Sequence, residues 1–127
     1  MDIQCVCRWR RGKNQERFGM IIYELRTYTL KVGALNEATS YYTEIGWPAL
    51  KKGGFDKKLI GYFVSETGTI NSLVHMWRFD DDNDRRSHWA ALFEFNDFMK
   101  FAVKFRPLVI SQEVKLLNKA PWGPHPS

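Results

Sequence analysis

The stretch that most restricts what this chain can fold into is Leu73-Val74-His75-Met76-Trp77-Arg78-Phe79. In an extended backbone Leu73, His75, Trp77 and Phe79 fall on one side, and Val74, Met76 and Arg78 on the other. Both sides are largely apolar, so the stretch reads as a central strand of a sheet. Just before it, Thr67-Gly68-Thr69-Ile70-Asn71 is a short connection in which Gly68 and Asn71 can take positive φ. The strand before that connection, Lys58–Glu66, must therefore return antiparallel beside it. Just after it, Asp80-Asp81-Asp82 offers a carboxylate to cap a following helix.

The remaining elements fall into place around this hairpin. Ile21–Leu30 is the first strand, with Tyr23, Leu25 and Thr27 on one face and Ile22, Glu24, Arg26 and Tyr28 on the other. Leu35, Ala38, Tyr42, Ile45 and Ala49 recur at helical spacing over 34–52, interrupted by Gly46 and Pro48. A second helical stretch carries Arg85, His88, Trp89, Leu92 and Phe93. Asn96-Asp97 looks like another cap, and the stripe Phe98, Phe101, Ala102 and Phe105 stops at Pro107. Leu108–Leu117 is the last strand.

The order β-α-β-β-α-β defines the fold class as α+β, a ferredoxin-like four-stranded antiparallel sheet with its helices on one face. The other face is then expected to expose Ile22, Tyr28, Tyr62, Val64, Val74 and Met76. An apolar face of that extent marks an interface, and the simplest cover is a second copy, in a homodimer.

A chain of 127 residues suits one such domain, expected over 20–120, with a leader over 1–19 and a tail over 121–127. The leader holds Arg8, Arg10, Arg11, Lys13 and Arg17 against Asp2 and Glu16, which is more than half of the net charge of +5. The basic balance is thus poor support for nucleic-acid binding by the domain. Three readings of the leader stand: an upstream extension of a chain that starts at Met20, a disordered basic arm, or an organelle-targeting segment. The cysteines, Cys5 and Cys7, both lie in it. With no others in the chain, neither a structural disulfide nor a four-ligand zinc site is expected. The expected compartment is cytoplasmic, and no apolar run is long enough for a membrane span.

Three stretches point to a family. Ile22-Tyr23-Glu24-Leu25-Arg26-Thr27-Tyr28-Thr29-Leu30-Lys31-Val32-Gly33 resembles the opening motif of the NIPSNAP family. So does Val74-His75-Met76-Trp77-Arg78-Phe79-Asp80 with Arg85 after it, and so does the late strand with Gln112-Glu113. The chain departs from the family pattern at Val32, where a proline usually precedes the glycine, and at Phe79, where a tyrosine is usual. The resemblance implies a dimeric α+β barrel. That fold is shared with cofactor-free monooxygenases, haem-degrading proteins and isomerases. It implies no particular reaction.

The candidate site residues come from the strands and the second helix. His75 is either a core histidine or a catalytic base, since its ordinary pKa of ~6.5 lies near working pH. Tyr23, Trp77 and Arg85 are expected to line a ligand pocket, Trp77 as an aromatic wall and Arg85 near the mouth. Glu24, Arg26, Glu66 and Arg78 are expected to form a charge network at the dimer interface. For Glu24 and Arg26 the alternative is a clamp for an anion or carboxylate. Arg85, in a first helical turn, needs a partner among residues 80–82 or a bound anion. His88 is expected at the surface. No cofactor and no metal is called for.

Two functions follow. The first is a homodimer binding a small apolar or aromatic molecule between sheet and helices, with a cofactor-independent oxygenase or isomerase as the reaction class. The second is a non-catalytic protein-interaction module acting through its dimer surface.

Overall fold

A computed structural model describes residues 20–126; the leader, with Cys5 and Cys7, lies outside them. Strand β1 spans Ile22–Leu30. Helix α1, Leu35–Tyr41, passes through a π-helical turn at Tyr42–Gly46 into α2, Trp47–Gly53. A 3-10 turn at Phe55–Lys58 leads into β2, Leu59–Val64, and β3, Ser72–Phe79. Helices α3, Asp82–Glu94, and α4, Asn96–Phe105, precede β4, Val109–Asn118. The strands form one sheet in the order β2-β3-β1-β4, with each neighbouring pair antiparallel. This is the expected ferredoxin-like α+β arrangement, with β1 and β3 in the middle.

Local chemistry accounts for the elements. Asn71 (φ 60°) and Gly68 (φ 75°) take the left-handed conformations that the β2–β3 connection demands. Asp81 caps α3: its Oδ1 accepts the Asp84 backbone N–H at 2.7 Å. Asn96-Asp97 does not cap α4, which starts from Phe95 with no side-chain cap. Asp97 lies in its first turn and accepts from Lys52 Nζ at 2.8 Å. Pro48 has no N–H to give to the preceding turn, and the helix widens there. The Trp47 N–H reaches back to the Tyr42 carbonyl. Gly46 faces Phe101 closely enough that an added Cβ would lie 2.9 Å from its ring. The backbone therefore touches α4 at the point where Tyr42 turns inward.

The core lies between the helices and one face of the sheet. One cluster centres on Leu30, Ala38, Leu73, Phe101 and Phe105, the other on Leu50, Trp77, Phe79 and Leu92. Leu73, His75, Trp77 and Phe79 are all buried, as the alternation of β3 implies.

The strand pairing corrects which residues share the covered face. Glu24 pairs with Trp77, Arg26 with His75, Tyr28 with Leu73 and Ile22 with Phe79, so these β1 residues lie under the helices. Tyr62 pairs with His75 and Val64 with Leu73, which puts them on that face too. The open face carries instead Tyr23, Leu25, Thr27, Phe63, Val74, Met76 and Arg78, joined from β4 by Leu117 and Lys115. Alternation fixes which residues of a strand go together. It cannot say which set meets the helices when both sets mix apolar and polar residues, as they do in β1.

Candidate functional site

The covered face has a polar end and an aromatic end. At the polar end, Glu24 has no exposed surface. Its Oε2 accepts from Arg26 Nη1 at 2.7 Å. Its Oε1 accepts from Arg85 Nη1 and from Trp89 Nε1, each at 3.2 Å. Three donors from two elements thus replace the water that a buried carboxylate loses. Arg26 also donates through Nε to the Tyr28 hydroxyl at 2.9 Å, and its guanidinium lies 4.3 Å from the centre of the Trp89 ring. Arg85 donates through Nε to Asp82 Oδ1 at 2.9 Å, and Arg86 Nε reaches Asp82 Oδ2 at 2.6 Å. Hydrogen bonds to Arg86 and Arg85 hold the Asp82 carboxyl below its usual range.

At the aromatic end, His75 is ringed by tyrosines. Its ring centre lies 4.4 Å from Tyr62, 4.9 Å from Tyr28 and 5.4 Å from Tyr42. Burial, and behind it the Arg26 charge, lowers its pKa to about 3. At neutral pH it is a neutral imidazole, so the expectation of a base poised near working pH does not suit this environment. His88, expected at the surface, is buried on α3 against Phe55, Trp77, Phe79 and Trp89. Burial lowers it to about 4, against the pull of Asp84 and Glu24. Among the described residues Trp77 Nε1 and His88 Nε2 are buried with no hydrogen-bond partner, and their rings lie 4.8 Å apart.

The expected site residues therefore divide. His75, Trp77 and Arg85 do share the space between sheet and helices, joined by Glu24 and Arg26. Tyr23 does not: it lies on the open face, where its hydroxyl donates to the Pro126 carbonyl at 2.6 Å. The expected interface network does not assemble either. Glu24 and Arg26 are on the covered face, and Arg78 is on the open face beside Tyr23, with Nη1 3.7 Å from Asp80. Glu66 sits exposed beyond the end of β2. The pairing phase described above is the reason.

Sequence reasoning missed Trp89, the ring that carries Arg26. A signal existed, because Trp89 lies one helical turn beyond Arg85 and so shares its face. Tyr42 was read only as core; the π turn that aims it at His75 follows from Pro48 and Gly46.

A buried carboxylate held by two arginines on a ferredoxin-like sheet defines a small α+β domain with a polar centre under its helices. The NIPSNAP family model matches residues 23–124, and the chain belongs to that family. A NIPSNAP family protein of unknown function from Agrobacterium tumefaciens has a crystal structure that superposes with a TM-score of 0.75. It is 34% identical, covering 84% of this chain and 94% of that one. Protein NipSnap homolog 2 of Danio rerio is 25% identical over 101 residues, covering 80% of this chain; the chain spans only 34% of that curated relative's length. A protein assigned to antibiotic biosynthesis monooxygenase, from Caulobacter crescentus, shares the fold at a TM-score of 0.60. It is 12% identical, covering 87% of this chain and 98% of that one. Among the described residues no helix is long and apolar enough to cross a membrane.

Proposed function

We propose that this NIPSNAP protein is a homodimer that takes a small apolar or aromatic molecule between its sheet and its helices. The observation that carries the reading is the pair of partnerless polar atoms, Trp77 Nε1 and His88 Nε2, inside an otherwise aromatic layer. A buried donor left unpaired costs about 1–3 kcal/mol, so its persistence calls for a reason. A ligand atom that accepts from the indole supplies one. With His75 and His88 neutral, the site offers hydrogen bonds and exclusion of water rather than charged acid catalysis. That environment suits a cofactor-independent oxygenase or isomerase, and the monooxygenase-like neighbours support the class at the level of fold alone. For the dimer, the support is the open face, where Leu25, Val74 and Met76 adjoin Phe63, itself 54% exposed. The same exposure favours a second reading, in which this face recruits a different protein.

Light scattering on the full chain, with mass spectrometry of small molecules released on denaturation, tests both parts. The expected results are twice the chain mass and a bound aromatic molecule that Trp77→Phe loses. A stable monomer at micromolar concentration would remove the dimer and favour the second reading. Equal ligand loads in wild type and Trp77→Phe would remove the indole's role.

A further inference from the structure

Arg26 on β1 and Arg85 on α3 bond different oxygens of the same carboxylate, and among the described residues neither guanidinium is used up. Arg26 commits Nε to Tyr28 and Nη1 to Glu24; Arg85 commits Nε to Asp82 and Nη1 to Glu24. Among the described residues no acceptor meets the Nη2 group of either. Both side chains keep a window to solvent, 12% exposed for Arg26 and 19% for Arg85. The connected charges are the guanidiniums of Arg26, Arg85 and Arg86 against the carboxylates of Glu24 and Asp82. One positive charge is left over in the cluster, whose most exposed member is Arg86, 71% exposed.

The window is bordered by apolar surface. Strand β4 runs out from under the helices, exposed along nearly its whole length. Its Val114 pairs with Arg26 and its Leu116 with Glu24, so both present their side chains on the arginines' face of the sheet, 44% and 46% exposed. From α3, Trp89 lies beneath the Arg26 guanidinium, and Phe93 stacks on Trp89 at 5.9 Å. An aromatic shelf, an aliphatic shelf and two partly exposed guanidiniums thus meet at one edge.

We propose that this edge is a carboxylate anchor: Arg26 and Arg85 hold the carboxylate of a small monoanionic molecule whose apolar or aromatic body lies along Trp89, Phe93, Val114 and Leu116. The inference rests on the ligand-binding reading above and names the class of molecule. Arginine's planar fork suits a carboxylate, and a surplus of one charge matches a monoanion better than a phosphate dianion. Glu24 is a positioning residue. It accepts from Nη1 of each fork and so fixes both guanidiniums, and it does not touch the ligand.

The test is titration calorimetry of the full chain with 1-naphthoate and with its neutral amide, 1-naphthamide. The acid is expected to bind about tenfold or more tightly than the amide, the worth of one charge-assisted hydrogen bond. Arg85→Gln is expected to abolish that preference, and Arg85→Lys, which keeps the charge facing Glu24 and Asp82 should the first variant fold poorly, to reduce it. Equal binding of acid and amide would overturn the anchor while leaving the ligand site standing. Binding of neither at millimolar concentration would overturn both. A preference left intact in Arg85→Lys and Arg85→Gln would remove Arg85 from the anchor.

Discussion

His75 and Glu24 sit in the same layer, on adjacent central strands and under the same set of helices, yet the fold treats them oppositely. His75 lies toward the π turn among Tyr28, Tyr42 and Tyr62, and it is kept uncharged. Glu24 lies below the first turns of α3 and is given two guanidiniums and an indole N–H. A titratable group can be buried by losing its charge or by having it matched, and this layer uses both. The difference divides the layer by chemistry. The His75 end is dry and uncharged at neutral pH; the Glu24 end is charged and adjoins the exposed β4 edge. The proposed polar recognition accordingly draws on the Glu24 end, although His75 is the residue that first draws notice in the sequence.

The strongest way to break this contrast is Glu24→Gln. Glutamine keeps the shape but leaves Arg26 without a carboxylate and Arg85 with Asp82 alone, and breaking a buried pair on one side costs about 3–5 kcal/mol. Urea unfolding followed by tryptophan fluorescence reads the change. A loss under about 1 kcal/mol would mean that water already screens the cluster, as at an exposed ion pair.

Acidification tests the other end. His75 has a folded pKa lowered to about 3 from an ordinary 6.5. Between those values the unfolded chain binds a proton that the folded chain refuses, so stability falls as pH drops through that window. From pH 7 to pH 4 the His75 share is roughly 3 kcal/mol. Asp82 is held down by Arg86 and Arg85, Asp84 by Lys58 in spite of its own burial, and Asp97 by Lys52. These three start below an ordinary 3.8, so their contribution is lost mainly at more acid pH. His75→Phe keeps an aromatic ring and removes the titration, and its stability is expected to fall correspondingly less between pH 7 and pH 4. His88 still titrates in the variant, so a residual slope is expected. An unchanged slope would mean that His75 already carries its proton in the fold.

The split between legible and illegible features follows from the physics. The β2–β3 hairpin, the cap at Asp81 and the buried set Leu73, His75, Trp77 and Phe79 were readable because each rests on local geometry: a positive φ, a free N–H, a period of two. The partners of Glu24 were not, because they depend on which face of β1 meets the helices. That choice is made across strands, by Glu24 opposing Trp77 rather than Arg78. His88 was misplaced for a related reason. Its helix carries polar residues nearly all round, and only the close approach of α3 to Trp77 and Phe79 buries it.

The mildest test sits on the open face and asks how firmly that face is covered. Tyr23 is buried there, and its hydroxyl holds the Pro126 carbonyl. The segment leading to it is exposed at Trp122, and His125 Nε2 lies 3.0 Å from the Ala120 carbonyl, a contact within the tail itself. Among the described residues one hydrogen bond is therefore the polar tie between tail and sheet. Removing it with Tyr23→Phe should cost about 1 kcal/mol, an increase of roughly fivefold in local opening, with little change in global unfolding because the core clusters are untouched. Trypsin cleavage after Lys119 under native conditions is the readout, and it should quicken by a similar factor. If cleavage is unchanged, the tail is held by its ring and proline contacts, and the open face is more firmly covered than a single hydrogen bond implies. The contrast between a sealed helix face and a lightly strapped open face would then weaken.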